Sequence, residues 1–184
     1  MSSSVSMALD KFIFRFHKKL TEFSETLNIE YDPKWPSLCY LSEGQPGELV
    51  AWQPIKRLLK SDFTDVEKAL GISIHSDLID FYSEYWSDNL NAQASKGKLQ
   101  LLQAWNDDDF VRLQQNLVGH VLMKQRLRQP ITLFVGVTND DDFIITVDNE
   151  SGEVMLEQVG LIPQEVVAPN LADFLNSLEP DISI

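Results

Sequence analysis

The stretch from Trp105 to Glu157 constrains the fold more than any other part of the chain. Asn106 can cap a helix, and Asp107, Asp108 and Asp109 then fill its first turn, where the helix macrodipole favours anions by about 0.3–1 kcal/mol each. Phe110, Leu113, Leu117, Val121 and Leu122 recur at helical spacing and predict one buried stripe. Lys124, Arg126 and Arg128 suit the opposite pole, and Pro130 forbids continuation beyond Gln129. Three apolar runs follow, Ile131 to Val137, Phe143 to Val147 and Glu153 to Val159. Their links, Thr138 to Asp142 and Asp148 to Gly152, are short and turn-like, so the runs predict an antiparallel meander. A long helix ahead of such a meander predicts an α+β class, with about five or six strands and the helix on one face.

The remaining segments are consistent with one domain over residues 1–184. Val5, Leu9, Phe12, Phe16, Leu20, Phe23 and Leu27 trace a stripe of helix from Ser4, with Ser4 as candidate cap. Its basic face, Lys11, Arg15, Lys18 and Lys19, would suit a membrane surface. Asp10, Glu22 and Glu25 dilute that face, so packing on the protein's own core is expected. Residues 28–48, rich in proline and glycine, read as an ordered loop anchored by Tyr31, Trp35 and Leu38. Leu49 to Gln53 reads as a strand ended by Pro54, whereas Ile55 to Lys60 carries no clear signal. Asp62 to Leu70 reads as a helix stopped by Gly71, and Ser76 can cap another reaching about Trp86. Leu90 to Ser95 and Lys98 to Gln103 pair as a hairpin near Gly97, and Asn170 can cap a last helix, Leu171 to Leu178.

Charge narrows the partners. The net charge is −13, and residues 138–184 hold 11 acidic side chains and no basic one. Such a surface repels nucleic acid and anionic lipid and attracts a basic protein surface. Solubility alone would also account for it. A single cysteine, Cys39, fits a reducing compartment, and no apolar run approaches the length of a membrane span, so a cytoplasmic location is expected. His17, His75 and His120 stand apart from one another and from Cys39, so no metal site is expected. The acids of 140–152 lack the glycine turn and terminal glutamate of a calcium loop. No phosphate-binding glycine loop and no nucleophile–base arrangement stands out, so neither cofactor nor catalysis is expected.

Leu99-Gln100-Leu101-Leu102-Gln103-Ala104-Trp105, Asp108-Asp109-Phe110, Gln115 to His120, Thr132-Leu133-Phe134, Asn149 to Val154 and Asn170 to Leu175 together resemble motifs of the Syd family of SecY-interacting proteins. The likeness is strong over residues 99–178 and looser before about residue 50. Gly71 followed by Leu78, Phe81 and Tyr82 is similar to a signature of a wider superfamily that includes toxin-immunity proteins. The resemblance implies an α+β fold with a concave surface and no enzymatic activity. It also implies a peripheral place on the cytoplasmic side of the inner membrane, held by SecY, the channel subunit of the export translocase. There the family is thought to sequester unassembled SecY or restrain the translocase.

Cytoplasmic loops of membrane proteins carry excess Lys and Arg, so an acidic protein complements them. Membrane attachment is then expected to run through SecY rather than lipid. An acidic immunity protein binding a basic toxin shows the same charge logic and stays open as an alternative. The expected working surface is a concave acidic patch drawing on Glu84, Asp88, Asp140, Asp142, Asp148 and Glu150, with Trp86 or Trp105 at its rim or floor. Glu84 and Asp88, four apart, would share one helical face near a C-terminus that disfavours acids. Asp140 and Asp142 would lie about 20 Å from Asp148 and Glu150, at opposite ends of one strand. A monomer is expected.

Overall fold

A computed structural model describes residues 3–183. Helix α1, Ser4–Phe23, buries Val5, Leu9, Phe12, Phe16 and Leu20 of the predicted stripe, whereas Phe23, at its last turn, is exposed. Ser3, not Ser4, is the cap: Ser3 has extended backbone, and its hydroxyl accepts from the Ser6 N–H at 3.1 Å. The helix ends four residues before Leu27, because Ser24 turns into the left-handed region at φ 54°. Strands β1, Asn28–Glu30, and β2, Leu49–Ala51, then pair antiparallel and close the proline-rich loop between them.

Strand β3, Ile55–Lys56, lies in the stretch that carried no signal. Helix α2, Thr64–Leu70, is capped by Gly71 at φ 67°, as expected. Helix α3, Ser76–Ser83, starts from His75, whose Nδ1 accepts from the Asp77 N–H at 3.2 Å. It stops three residues short of Trp86. Tyr85 and Trp86 form strand β4 instead, paired with Lys56 and Ile55 of β3. The Arg57 N–H donates to the Glu84 carbonyl at 2.8 Å, and the Arg57 guanidinium lies 3.7 Å above the Trp86 ring. Tertiary partners therefore override a helical pattern that runs on in the sequence.

The central sheet has seven strands: β5 (Leu90–Ala94), β6 (Gly97–Leu101), β7 (Thr132–Thr138), β8 (Phe143–Asp148), β9 (Val154–Gln158), β10 (Glu165–Ala168) and β11 (Glu179–Pro180). Their order is β10-β9-β8-β7-β6-β5-β11, every neighbour is antiparallel, and the sheet curls into a half-barrel. Strands β10 and β11 extend the expected meander at its two edges. On one face the register aligns Leu90, Leu99, Leu101, Leu133, Ile145, Val147 and Val154, all buried. They join α1, α3 and helix α5, Leu171–Ser177, in one core. Asn170 caps α5 by accepting from the Asp173 N–H.

Helix α4, Asp107–Arg126, packs against β7 from the opposite face. Its start is a reciprocal box: the Asn106 side chain accepts from the Asp109 N–H at 2.8 Å, and the Asp109 carboxylate accepts from the Trp105 N–H at 2.9 Å. Its buried stripe is Phe110, Leu113, Leu117 and Val121, continued by Lys124 rather than Leu122, which is 49% exposed. Lys124 is not a solvated cation at the helix end. It is wholly buried and donates to Glu157 Oε1 at 2.8 Å and to the Leu161 carbonyl at 2.9 Å. Glu157 Oε2 accepts from the hydroxyls of Thr132 and Thr146 at 2.7 and 3.0 Å. His120 Nε2 lies 3.0 Å from the Thr132 hydroxyl. Burial lowers the His120 pKa, so the ring is neutral at pH 7. Since Thr132 gives its proton to Glu157, the compatible tautomer is the one in which His120 Nε2–H donates to Thr132.

Candidate protein-binding groove

A groove of 530 Å³ runs between the N-terminal half of α4, the ends of β6 and β7, and the loop that follows β1. Four carboxylates line it, Glu30, Asp32, Asp88 and Asp109, against one guanidinium, Arg112. Its walls are aromatic, with Trp35, Tyr40, Trp105 and Phe134.

Local chemistry builds each wall. The β1–β2 pairing fixes Glu30. The loop beyond is stapled to the start of α4: the Ser37 hydroxyl donates to the Trp105 carbonyl at 2.6 Å, and the Asn106 amide donates to the Pro36 carbonyl at 2.8 Å. Trp105 meets Tyr40 edge-on at 5.0 Å and Trp52 at 5.5 Å, two contacts of the geometry that aromatic quadrupoles favour. Asp109 reaches the groove because the capping box turns the first turn of α4 inward. Asp88 accepts from the Asn89 N–H at 2.8 Å. Burial, and next the charge of Asp109, hold the Asp88 pKa above the usual aspartate value. A cation placed between these two acids relieves both effects. Two of the lining residues also carry a buried donor, Gln103 Nε2 and Trp105 Nε1, with no hydrogen-bond partner among the described residues.

The residues that sequence reasoning singled out do not form one patch. Asp88 and Trp105 line the groove. Trp86 borders a separate 300 Å³ hollow that shares Trp105 as its wall. Glu84 does not share a helical face with Asp88, because α3 ends at Ser83. Instead Glu84 accepts from the Ser6 hydroxyl and lies 3.5 Å from Lys56 Nζ, which ties α1 to β3. Asp140 and Asp142 occupy the β7–β8 turn, whereas Asp148 and Glu150 occupy the β8–β9 turn, at opposite ends of β8. Asp140 accepts from the Asp142 N–H at 3.1 Å, and Asp148 accepts from the N–H groups of Glu150 and Ser151 at 3.0 and 2.8 Å. These acids organise their own turns, as Asx chemistry favours. None of Asp140, Asp142, Asp148 and Glu150 lines the groove. Sequence reasoning gave Asp109 a purely local role and passed over Glu30, Asp32 and Arg112. The return of the β1–β2 loop onto α4, which gathers them, leaves no local signal.

The groove's titratable groups suit recognition. Carboxylates beside aromatic faces bind a Lys or Arg side chain through charge and cation–π attraction. Cys39 is buried, and desolvation pushes its thiol up to about 11, which keeps it protonated and inert. Among the described residues no helix is long and apolar enough to cross a membrane.

The chain is similar to known proteins over almost its whole length. The sequence model described as Syd protein (SUKH-2) matches residues 6–180. Protein Syd of Pseudoalteromonas atlantica is 52% identical over 182 residues, covering 98% of each chain. Protein Syd of Alteromonas mediterranea is 47% identical over 182 residues, again covering 98% of each. Protein Syd of Shewanella baltica is 40% identical over 179 residues, covering 96% of this chain and 82% of that protein. A family match over that span, with identities of this size at near-complete coverage, means that the chain belongs to the Syd protein family.

Proposed function

We propose that the chain is a non-enzymatic binding protein for SecY, acting peripherally on the cytoplasmic side of the inner membrane. In this reading its groove receives a basic cytoplasmic loop of SecY, and the binding sequesters unassembled SecY or restrains the translocase. The observation that carries the reading is the groove itself: four carboxylates and four aromatic side chains converge on one space, with a single cation among them. The resemblance to SecY-interacting Syd proteins suggests the partner, and the groove supplies matching chemistry. The net charge of −13 speeds encounter with Lys- and Arg-rich loops, so attachment runs through protein rather than anionic lipid.

The test is capture from detergent-solubilised inner membrane, with SecY scored against every other captured protein. SecY is expected to be strongly enriched. Affinity is expected to fall steeply from low to high salt, because charges at the groove's rim are screened within about 8–10 Å near physiological ionic strength. Capture of a basic soluble toxin in place of SecY would support an immunity role. Equal binding to protein-free anionic liposomes would exclude attachment through SecY.

A further inference from the structure

Arg112 stands out in the groove. It lies on the exposed side of α4, three residues after Asp109, with its guanidinium carbon 4.3 Å from the centre of the Trp35 ring. That is close enough for a cation–π stack. No carboxylate lies within ion-pair distance of it among the described residues, although four line the same groove. Its location is thus set by an aromatic face and not by a salt bridge. Trp35 in turn sits on the loop stapled to α4 through Ser37 and Asn106, so the ring that Arg112 covers is a fixed wall of the groove.

A guanidinium on an aromatic face, in a groove lined by acids, is what a bound basic side chain would look like. We propose that the Trp35 face is the groove's cation subsite, that Arg112 occupies it in the free protein, and that a Lys or Arg of the partner displaces it on binding. Arg112 is then an internal competitor that weakens binding and rejects segments too weakly basic to dislodge it. This inference rests on the reading of the groove as the SecY-binding site. It gives Arg112 a specificity role, because a negative charge balance alone would admit any cation.

The experiment measures binding of the full-length chain to purified SecY in nanodiscs, with a thermal melt of every variant. Arg112→Gln is expected to tighten binding about three- to tenfold, the scale of one exposed cation–π contact with one screened charge. Trp35→Leu, which keeps apolar bulk and removes the aromatic face, is expected to weaken it about as much; Trp35→Phe, the milder change, falls between. In the double variant the gain from Arg112→Gln disappears, because there is no face left to vacate. Arg126→Gln makes the same change in net charge from an exposed position at the end of α4, and it is expected to leave affinity within about twofold. Binding by Arg112→Gln that equals or falls below the parent's overturns the proposal. So does a gain that survives undiminished beside Trp35→Leu, or one that Arg126→Gln reproduces, since either would be a long-range field effect. Loss of the groove reading itself is separate: Asp88→Lys would then leave binding intact.

Discussion

Lys124→Met is expected to destabilise the protein by about 3–5 kcal/mol in a denaturant titration at pH 7, the usual cost of orphaning one member of a buried pair. Lys124 and Glu157 are both wholly inaccessible to solvent and lie 2.8 Å apart. The methionine fills the space of the lysine stem, so packing changes little. The loss comes from Glu157, which keeps its two threonine donors but loses its counter-charge. Lys124→Met with Glu157→Gln is expected to recover most of the stability, because the amide oxygen still accepts from Thr132 and Thr146 without a buried charge. Strong non-additivity between the two substitutions is the signature of a coupled pair. If Lys124→Met costs under about 1 kcal/mol, the pair is a bystander to folding, and the polar seam between α4 and the sheet has no structural weight.

If the groove receives SecY as proposed, Asp88→Lys is expected to weaken SecY binding by at least about thirtyfold, the effect of reversing a desolvated charge at an interface. Asp88 is partly buried beside Asp109, and the one hydrogen-bond donor to its carboxylate among the described residues is the neighbouring Asn89 N–H. The lysine gains Asp109 as a neighbour, so the variant is expected to melt close to the parent. Reversal of Asp142 or Glu150 changes binding by at most about threefold, because both sit in exposed turns where charge is screened. Binding by the parent is also expected to weaken as pH falls into the range where Asp88 takes up a proton, a range that burial shifts upward. Asp88→Asn flattens that dependence. Equal losses from Asp88, Asp142 and Glu150 would mean that the whole acidic surface steers the partner and no groove selects it.

The legible parts of the fold were those with local causes. The α4 stripe, the Asn106 and Asn170 caps, the Gly71 stop and the β7–β8–β9 meander all follow from spacing and turn chemistry within a few residues. Lys124 was misread because its position on α4 suits the macrodipole equally well, and its partner Glu157 lies three elements away. Glu84 was misread because the α3 pattern continues through Tyr85 and Trp86, and only the pairing of β4 with β3 ends the helix. Asp88 and Trp105, singled out for charge and aromaticity, line the groove. Glu30, Asp32, Asp109 and Arg112 were not singled out as site residues, because a groove made by docking one loop on a distant helix has no period to detect. The two acid triplets lie at a helix start and in a turn, and Asp109 alone also lines the groove.

Site-specific photocrosslinking to SecY tests the groove most directly. A photoreactive amino acid is placed at Asn116 on the groove wall, and at Asp142 and Glu150 in the two acidic turns, and each protein is irradiated with SecY in nanodiscs. Cross-links from Asn116 to Lys- and Arg-rich cytoplasmic loops of SecY, with little from either turn, are the result that the groove requires. Cross-links from Asp142 and Glu150 with none from Asn116 would contradict it and place the contact surface along β8.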